Sequence, residues 1–176
     1  MEKSYTDDMV ANRRHLHKRP EEGWTEFETT YFVYQYLTAL GFPVSVGKAN
    51  INEKEVLGRD EKLVADGMKR ALAHGVPQAF LDKTEGYTGC VAVLDTGRPG
   101  PVTAFRSDMD CVLVRETDDP EHLPNKLGFA SERPGFMHAC GHDGHTAVGL
   151  EVARWLVENK DKLCGKFKCI FQPAEE

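Results

Sequence analysis

Short apolar runs of strand length alternate with longer amphipathic runs, and this alternation restricts the fold more than any other feature of the sequence. Residues 90–94 (Cys-Val-Ala-Val-Leu), 102–106 (Val-Thr-Ala-Phe-Arg) and 167–171 (Phe-Lys-Cys-Ile-Phe) read as strands, with a shorter one over 42–46. Helices are expected over 5–18, closed by Pro20, and over 25–40, where Phe27, Tyr31, Tyr34 and Leu37 recur at helical spacing before Gly41. A third runs over 60–74, with Asp60 as N-cap and Gly75 as stop, and a fourth over 147–159. Leu63, Met68 and Leu72 should share the apolar face of the third helix. Val148, Val152, Trp155 and Leu156 should line the buried side of the fourth, with Glu151, Arg154 and Glu158 in water. The turn-rich connector from Asp95 to Gly100 predicts an antiparallel hairpin between the strands it joins. Such alternation implies an α/β fold, a mixed sheet with helices in a three-layer α-β-α arrangement.

The chain has 176 residues and a formal net charge of −6, which favours solubility and offers no basic surface for a nucleic acid. It has no apolar run of membrane-spanning length, and its first residues carry no signal-like apolar stretch, so no membrane partner is expected. Five cysteines are odd in number and scattered, which argues against a disulfide framework and for a reducing, cytoplasmic setting. Cys90, Cys111, Cys164 and Cys169 sit in or beside apolar runs and read as small buried hydrophobes, as Trp24 reads as core.

Cys140 differs. It lies in Met-His-Ala-Cys-Gly-His-Asp-Gly-His at 137–145, where a thiol, three imidazoles and a carboxylate crowd into one glycine-bearing loop. Cys140 and His142, two residues apart, can approach one metal from such a loop, and zinc, cobalt or nickel accepts both donors. His138 reads as an outer ligand or a structural residue, and His145 as a site residue or a solvated first turn. A second segment, Ser-Asp-Met-Asp at 107–110, follows a strand; Asp110 is the candidate to orient a ligating histidine. A third, Phe-Gln-Pro-Ala-Glu-Glu at 171–176, ends in paired carboxylates, one of which can bind metal while the other carries a proton.

These three segments, with Arg-Arg-His-Leu-His at 13–17, Pro20-Glu21 and Glu26-Phe27, resemble the M20 peptidase clan of metal-dependent amidohydrolases, in the branch of hippurate hydrolases and indole-acetyl amino acid hydrolases. The helical run at 60–74, Gly-Tyr-Thr-Gly at 86–89 and residues 95–101 resemble the aminobenzoyl-glutamate hydrolase group of that branch. The resemblance implies a partial catalytic domain of a zinc-exopeptidase-like fold: residues 1–176 as its N-terminal part, with a helical insertion at about 47–85, and without the inserted dimerisation domain and C-terminal part. It implies a centre of two divalent metal ions, manganese or zinc, with Cys140, His142 and Glu176 as metal ligands. Glu175 would be the general base and Asp110 the residue that orients the site. The expected reaction is hydrolysis of the amide bond of a small N-acyl amino acid, p-aminobenzoyl-glutamate to p-aminobenzoate and glutamate, a step in folate breakdown. A homologous second subunit is an expected partner, and this chain alone is expected to be inactive. His15 and His17 are expected to pack or cap rather than ligate, and Cys111 stands where the branch usually has alanine. Two other classes stay open at this point: a non-catalytic metal-binding partner or regulatory fragment, and a thiol enzyme using Cys140 with His142 or His138 as base.

Overall fold

The computed structural model describes residues 4–176. Helix α1 (Tyr5–Lys18) is capped by Ser4, whose hydroxyl accepts the amide of Asp7, and is followed by α2 (Phe27–Ala39) and the short strand β1 (Val44–Val46). Two single 3-10 turns lead to α3 (Glu61–Ala73), capped by Asp60 as expected, and to α4 (Gln78–Thr84). Then come β2 (Cys90–Asp95), β3 (Val102–Asp108), a brief α5 (Leu123–Lys126), α6 (His142–Glu158) and β4 (Lys166–Gln172). Among the described residues, no helix is long and apolar enough to cross a membrane.

These strands form one mixed sheet in the order β1-β2-β4-β3. β2 is antiparallel to β1 and β4, whereas β3 and β4 run parallel, joined through α6 as a β-α-β crossover. The hairpin expected between β2 and β3 is absent, because β4 lies between them. The reason is a close crossing of backbones: Lys166 donates its amide to the carbonyl of Pro101 at 3.0 Å, and a Cβ on Gly165 would sit 2.1 Å from that same oxygen. The connector is thus shaped to admit β4 rather than to turn the chain back on itself.

One sheet face holds the core. Cys90, Ala92, Leu94, Cys169 and Phe171 are buried there with Phe27, Val33 and Leu37 of α2 and Leu150, Ala153 and Leu156 of α6. Trp24 joins this core, and its indole N–H donates to the carbonyl of Leu57. On the other face Val91, Val93 and Ile170 are half-buried and Lys168 is exposed. Two helices are rotated from the faces their apolar residues suggest. In α6, Val148, Val152 and Trp155 are exposed while Glu151 is buried, because α1 and α2 pack there and supply polar partners: Tyr36 donates its hydroxyl and Asn12 its amide to Glu151. In α3, Leu63 and Leu72 are exposed and Val64, Gly67 and Ala71 are buried, since the approach at Thr25 leaves no room for larger groups; a Cβ on Gly67 would meet Thr25 at 2.9 Å. Cys164, expected to be buried, is exposed at the turn before β4.

Candidate metal centre

Parallel strands deliver their C-terminal ends to the same sheet edge, and that edge is the usual place for a site in an open α/β sheet. Here the residues that follow β3 (Met109, Asp110) and β4 (Pro173 to Glu176) emerge side by side, held together by the amide of Met109 on the carbonyl of Gln172 at 3.0 Å. The N-terminus of α6 opens onto the same edge. Its N-cap is Gly141, in the left-handed region at φ 88°, so the chain turns directly from Cys140 into the helix and makes His142 its first residue. The sequence places this helix start five residues later, at 147; the motif is itself the first turn of α6.

Asp110 is fully buried and links the three segments. Its Oδ1 lies 3.0 Å from Nδ1 of His142, and its Oδ2 accepts the backbone amide of Glu176 at 3.0 Å. An ionised carboxylate only accepts, so Nδ1 carries the hydrogen and Nε2 of His142 is left as the open atom. That nitrogen lies 3.7 Å from a carboxylate oxygen of Glu175 and 3.8 Å from one of Glu176. The ligand atoms of these three residues fall within 4.8 Å of one another. Cys140 is exposed and reaches the group through Glu176: a hydrogen bond to that carboxylate, then desolvation, then the charges of Glu176, Glu175 and Asp110 hold its thiol above the ordinary cysteine pKa. A thiol in this setting keeps its proton until a cation is at hand, which suits a ligand better than a free nucleophile. Donor identity and spacing therefore fit a divalent ion, with two carboxylates and one imidazole nitrogen converging from two segments and the Cys140 thiol beside them on Glu176.

A second group shares His142. His145 stacks on it with ring centroids 5.1 Å apart, and its Nδ1 lies 3.3 Å from Asp108, which Arg106 also approaches at 2.9 Å. Asp108 and His145 are thus beside the centre, a relationship that residue types alone leave undecided.

Behind the motif lies a network that sequence reasoning missed. His17, at 2% exposure, places its Nδ1 2.8 Å from Asp143 and its Nε2 3.1 Å from Glu116. Burial opposes charge on this ring, but its two carboxylate partners outweigh burial and raise its pKa. Glu116 also accepts from the Ser131 amide and meets His122, tying α1 and the 116–131 loop to the first turn of α6. His138 is buried beside this network, and burial lowers its pKa to about 4. The only sequence hint was the spacing of His17 within the 13–17 run.

Residues 104–176 match the model of Peptidase family M20/M25/M40. The chain is 52% identical to a homolog of a p-aminobenzoyl-glutamate hydrolase subunit, from Haemophilus influenzae, over 97% of this chain and 40% of that one. In structure it is similar to an aminobenzoyl-glutamate utilization protein from Klebsiella pneumoniae, with a TM-score of 0.76 and 37% identity over 97% of this chain and 37% of that chain. It is also similar to a dinuclear metal-binding peptidase of the M20 family from Bacillus subtilis, with a TM-score of 0.65 and 29% identity over 97% of this chain and 36% of that chain. The chain spans about two fifths of the length of the curated relatives it matches. The match to Peptidase family M20/M25/M40 thus falls on residues 104–176, the segment that carries most of the site, and similarity to aminobenzoyl-glutamate hydrolase subunits runs along nearly the whole chain.

Proposed function

We propose that this chain supplies part of the metal centre of a hydrolase that cleaves the amide bond of an N-acyl amino acid, with p-aminobenzoyl-glutamate as the substrate. One observation carries the reading: Asp110 fixes Nδ1 of His142 and thereby turns Nε2 toward Glu175 and Glu176. In this reading Cys140, His142 and Glu176 hold metal, and Glu175 is the general base that takes a proton from the attacking water and returns it to the departing amine. Two divalent ions, manganese or zinc, would polarise the scissile carbonyl and make water a better nucleophile at neutral pH. Asp110 positions rather than reacts. The segment 47–85, with α3 and α4, is an insertion relative to the catalytic core. The protein acts in the cytoplasm, and its partner is a second, homologous subunit.

We infer that further ligands lie in the part of the relatives' length that this chain does not span, and that the 176-residue chain alone turns over little substrate. The test has two arms. Elemental analysis after dialysis against Mn²⁺ or Zn²⁺ should find metal on this chain, lost on Cys140→Ser. A protein of the relatives' full length should release p-aminobenzoate from p-aminobenzoyl-glutamate, and a chelator should stop it. Metal without turnover in the full-length protein would instead favour a non-catalytic metal-binding partner.

A further inference from the structure

Glu26 is a buried acid that the chemistry above does not use. It stands at the N-cap of α2, yet its side chain makes no capping bond there. That task falls to Glu21, whose carboxylate accepts the amides of Thr29 at 2.8 Å and Glu28 at 3.3 Å. Glu26 turns the other way. Its Oε1 accepts the amide of Ala174 at 2.8 Å, and its Oε2 accepts the hydroxyl of Thr88 at 2.6 Å. The group is fully buried, and the two bonds it accepts come from neutral donors. A carboxyl group held this way is costly unless its two bonds do something the fold needs.

Ala174 is where that need lies. Among the described residues it is one of three non-glycine residues with positive φ, at 49°, a conformation disfavoured for alanine that persists only where neighbours hold it. It immediately precedes Glu175 and Glu176. Gly23 packs on its other side so closely that a Cβ there would lie 3.0 Å from that of Ala174. The next anchor along the chain is the Glu176 amide on Asp110. We propose that Glu26 is a positioning residue of the centre: by holding the amide of Ala174 in its left-handed turn, it fixes the direction in which Glu175 and Glu176 leave β4 toward His142. The role rests on the hydrolase reading, but the anchor it describes does not.

The test uses the ¹⁵N-labelled chain without metal. Glu26→Leu keeps volume and removes the acceptor; exchange of the Ala174 amide should speed up by about tenfold or more. Order parameters at Glu175 and Glu176 should fall from about 0.85 towards 0.6. Glu26→Gln keeps a carbonyl oxygen for Ala174 and offers its NH₂ to the Thr88 hydroxyl, so it should restore both. The Met109 amide, bonded to Gln172, is the internal control and should not change. If the leucine variant does not fold, Glu26→Asp carries the same test, because it withdraws the carboxylate by one methylene. Unchanged exchange at Ala174 overturns the anchor. Faster exchange with unaltered order at Glu175 and Glu176 overturns the positioning role and leaves a structural contact. Mn²⁺ affinity is measured alongside: a parent chain that binds none, yet shows these changes in order, counts against the hydrolase reading and for the role of Glu26.

Discussion

Oδ1 of Asp110 and Nδ1 of His142 meet at 3.0 Å inside the protein, and the same carboxylate takes the backbone amide of Glu176 on its other oxygen. One buried side chain thus sets the ring orientation of a proposed ligand and the position of another. In Asp110→Asn only one oxygen remains for two donors, and the new NH₂ confronts either the imidazole N–H or the amide. Mn²⁺ or Zn²⁺ affinity should fall by about 10–100-fold, the usual cost of losing a group that orients a metal-binding histidine. Competition titration against a chromophoric chelator reads this directly, and an undiminished affinity would remove Asp110 from the centre.

The two adjacent glutamates should separate in function. Glu176 is the tethered one, with its amide on Asp110 and its carboxylate beside the Cys140 thiol. The Glu175 side chain is more exposed, at 40% against 27%, and so has freer access to water. In a full-length protein, Glu175→Gln should retain metal and lose turnover by roughly 10²–10⁴-fold. Glu176→Gln should lose metal and regain part of its activity as metal is added. Elemental analysis with initial rates over a metal titration distinguishes them, and the reverse pattern would exchange the roles.

What could be read from the sequence was local. Cys140 and His142 stand two residues apart in one loop, and Asp110 and Glu175–Glu176 follow runs whose strand character is evident, so the proposed centre needs only that strand ends meet. The hairpin misled because strand order is set by Gly165 lying against Pro101, a contact between residues far apart in sequence that leaves no periodic trace. The face of α6 misled because Glu151 is buried only by virtue of partners on two other helices, Asn12 and Tyr36. Glu26 resembles any acid in a first helical turn; nothing local shows that its carboxyl group reaches across the core to Ala174.

Glu26 also predicts a pH dependence. Burial raises its pKa from 4.5 to about 8, against the opposing bonds from Thr88 and Ala174. The folded chain therefore keeps this proton where the unfolded chain has released it. Stability attributable to Glu26 is intact below about pH 4.5, declines as pH rises towards 8, and levels off beyond. The whole decline is on the order of a few kcal/mol. Glu26→Gln, permanently neutral, should flatten this limb. Urea midpoints between pH 5 and 9 test it, and parallel curves for parent and variant would contradict a protonated Glu26.

The sign for His17 follows from its two carboxylates. Its raised pKa means that its stabilisation is complete below pH 6.5 and is lost as pH rises through the folded-state value. The pKa of Glu116 is lowered: burial opposes this, but the Ser131 amide, His122 and His17 prevail. Its share is complete above pH 4.5 and is lost on acidification. The pair is thus strongest between pH 4.5 and 6.5. His17→Gln leaves two buried acids short of a cation and should cost about 3 kcal/mol near pH 6. The penalty should shrink at higher pH, where the parent loses its imidazolium too. A penalty independent of pH would mean that His17 acts by shape alone.

Two glycines of α6 should respond oppositely to alanine. A Cβ on Gly149 would lie 2.3 Å from Oγ and 3.1 Å from Cβ of the buried Ser107, and 3.1 Å from the Phe171 ring. Rotating the serine hydroxyl does not relieve the contact with its own Cβ, so α6 must lift from β3 and β4. Overpacking of this kind costs about 1–3 kcal/mol and outweighs the ~1 kcal/mol that alanine gains over glycine in a helix. Gly144 has no atom within 4 Å of its would-be Cβ, so only the helix term acts there. Gly149→Ala should lower Tm by several degrees, and Gly144→Ala should raise it by about 2–3 °C. Because Gly144 shares the first turn of α6 with His142, its variant should also bind Mn²⁺ as the parent does. Shifts of the same sign in the two variants would mean that α6 does not pack on β3 and β4 through Gly149.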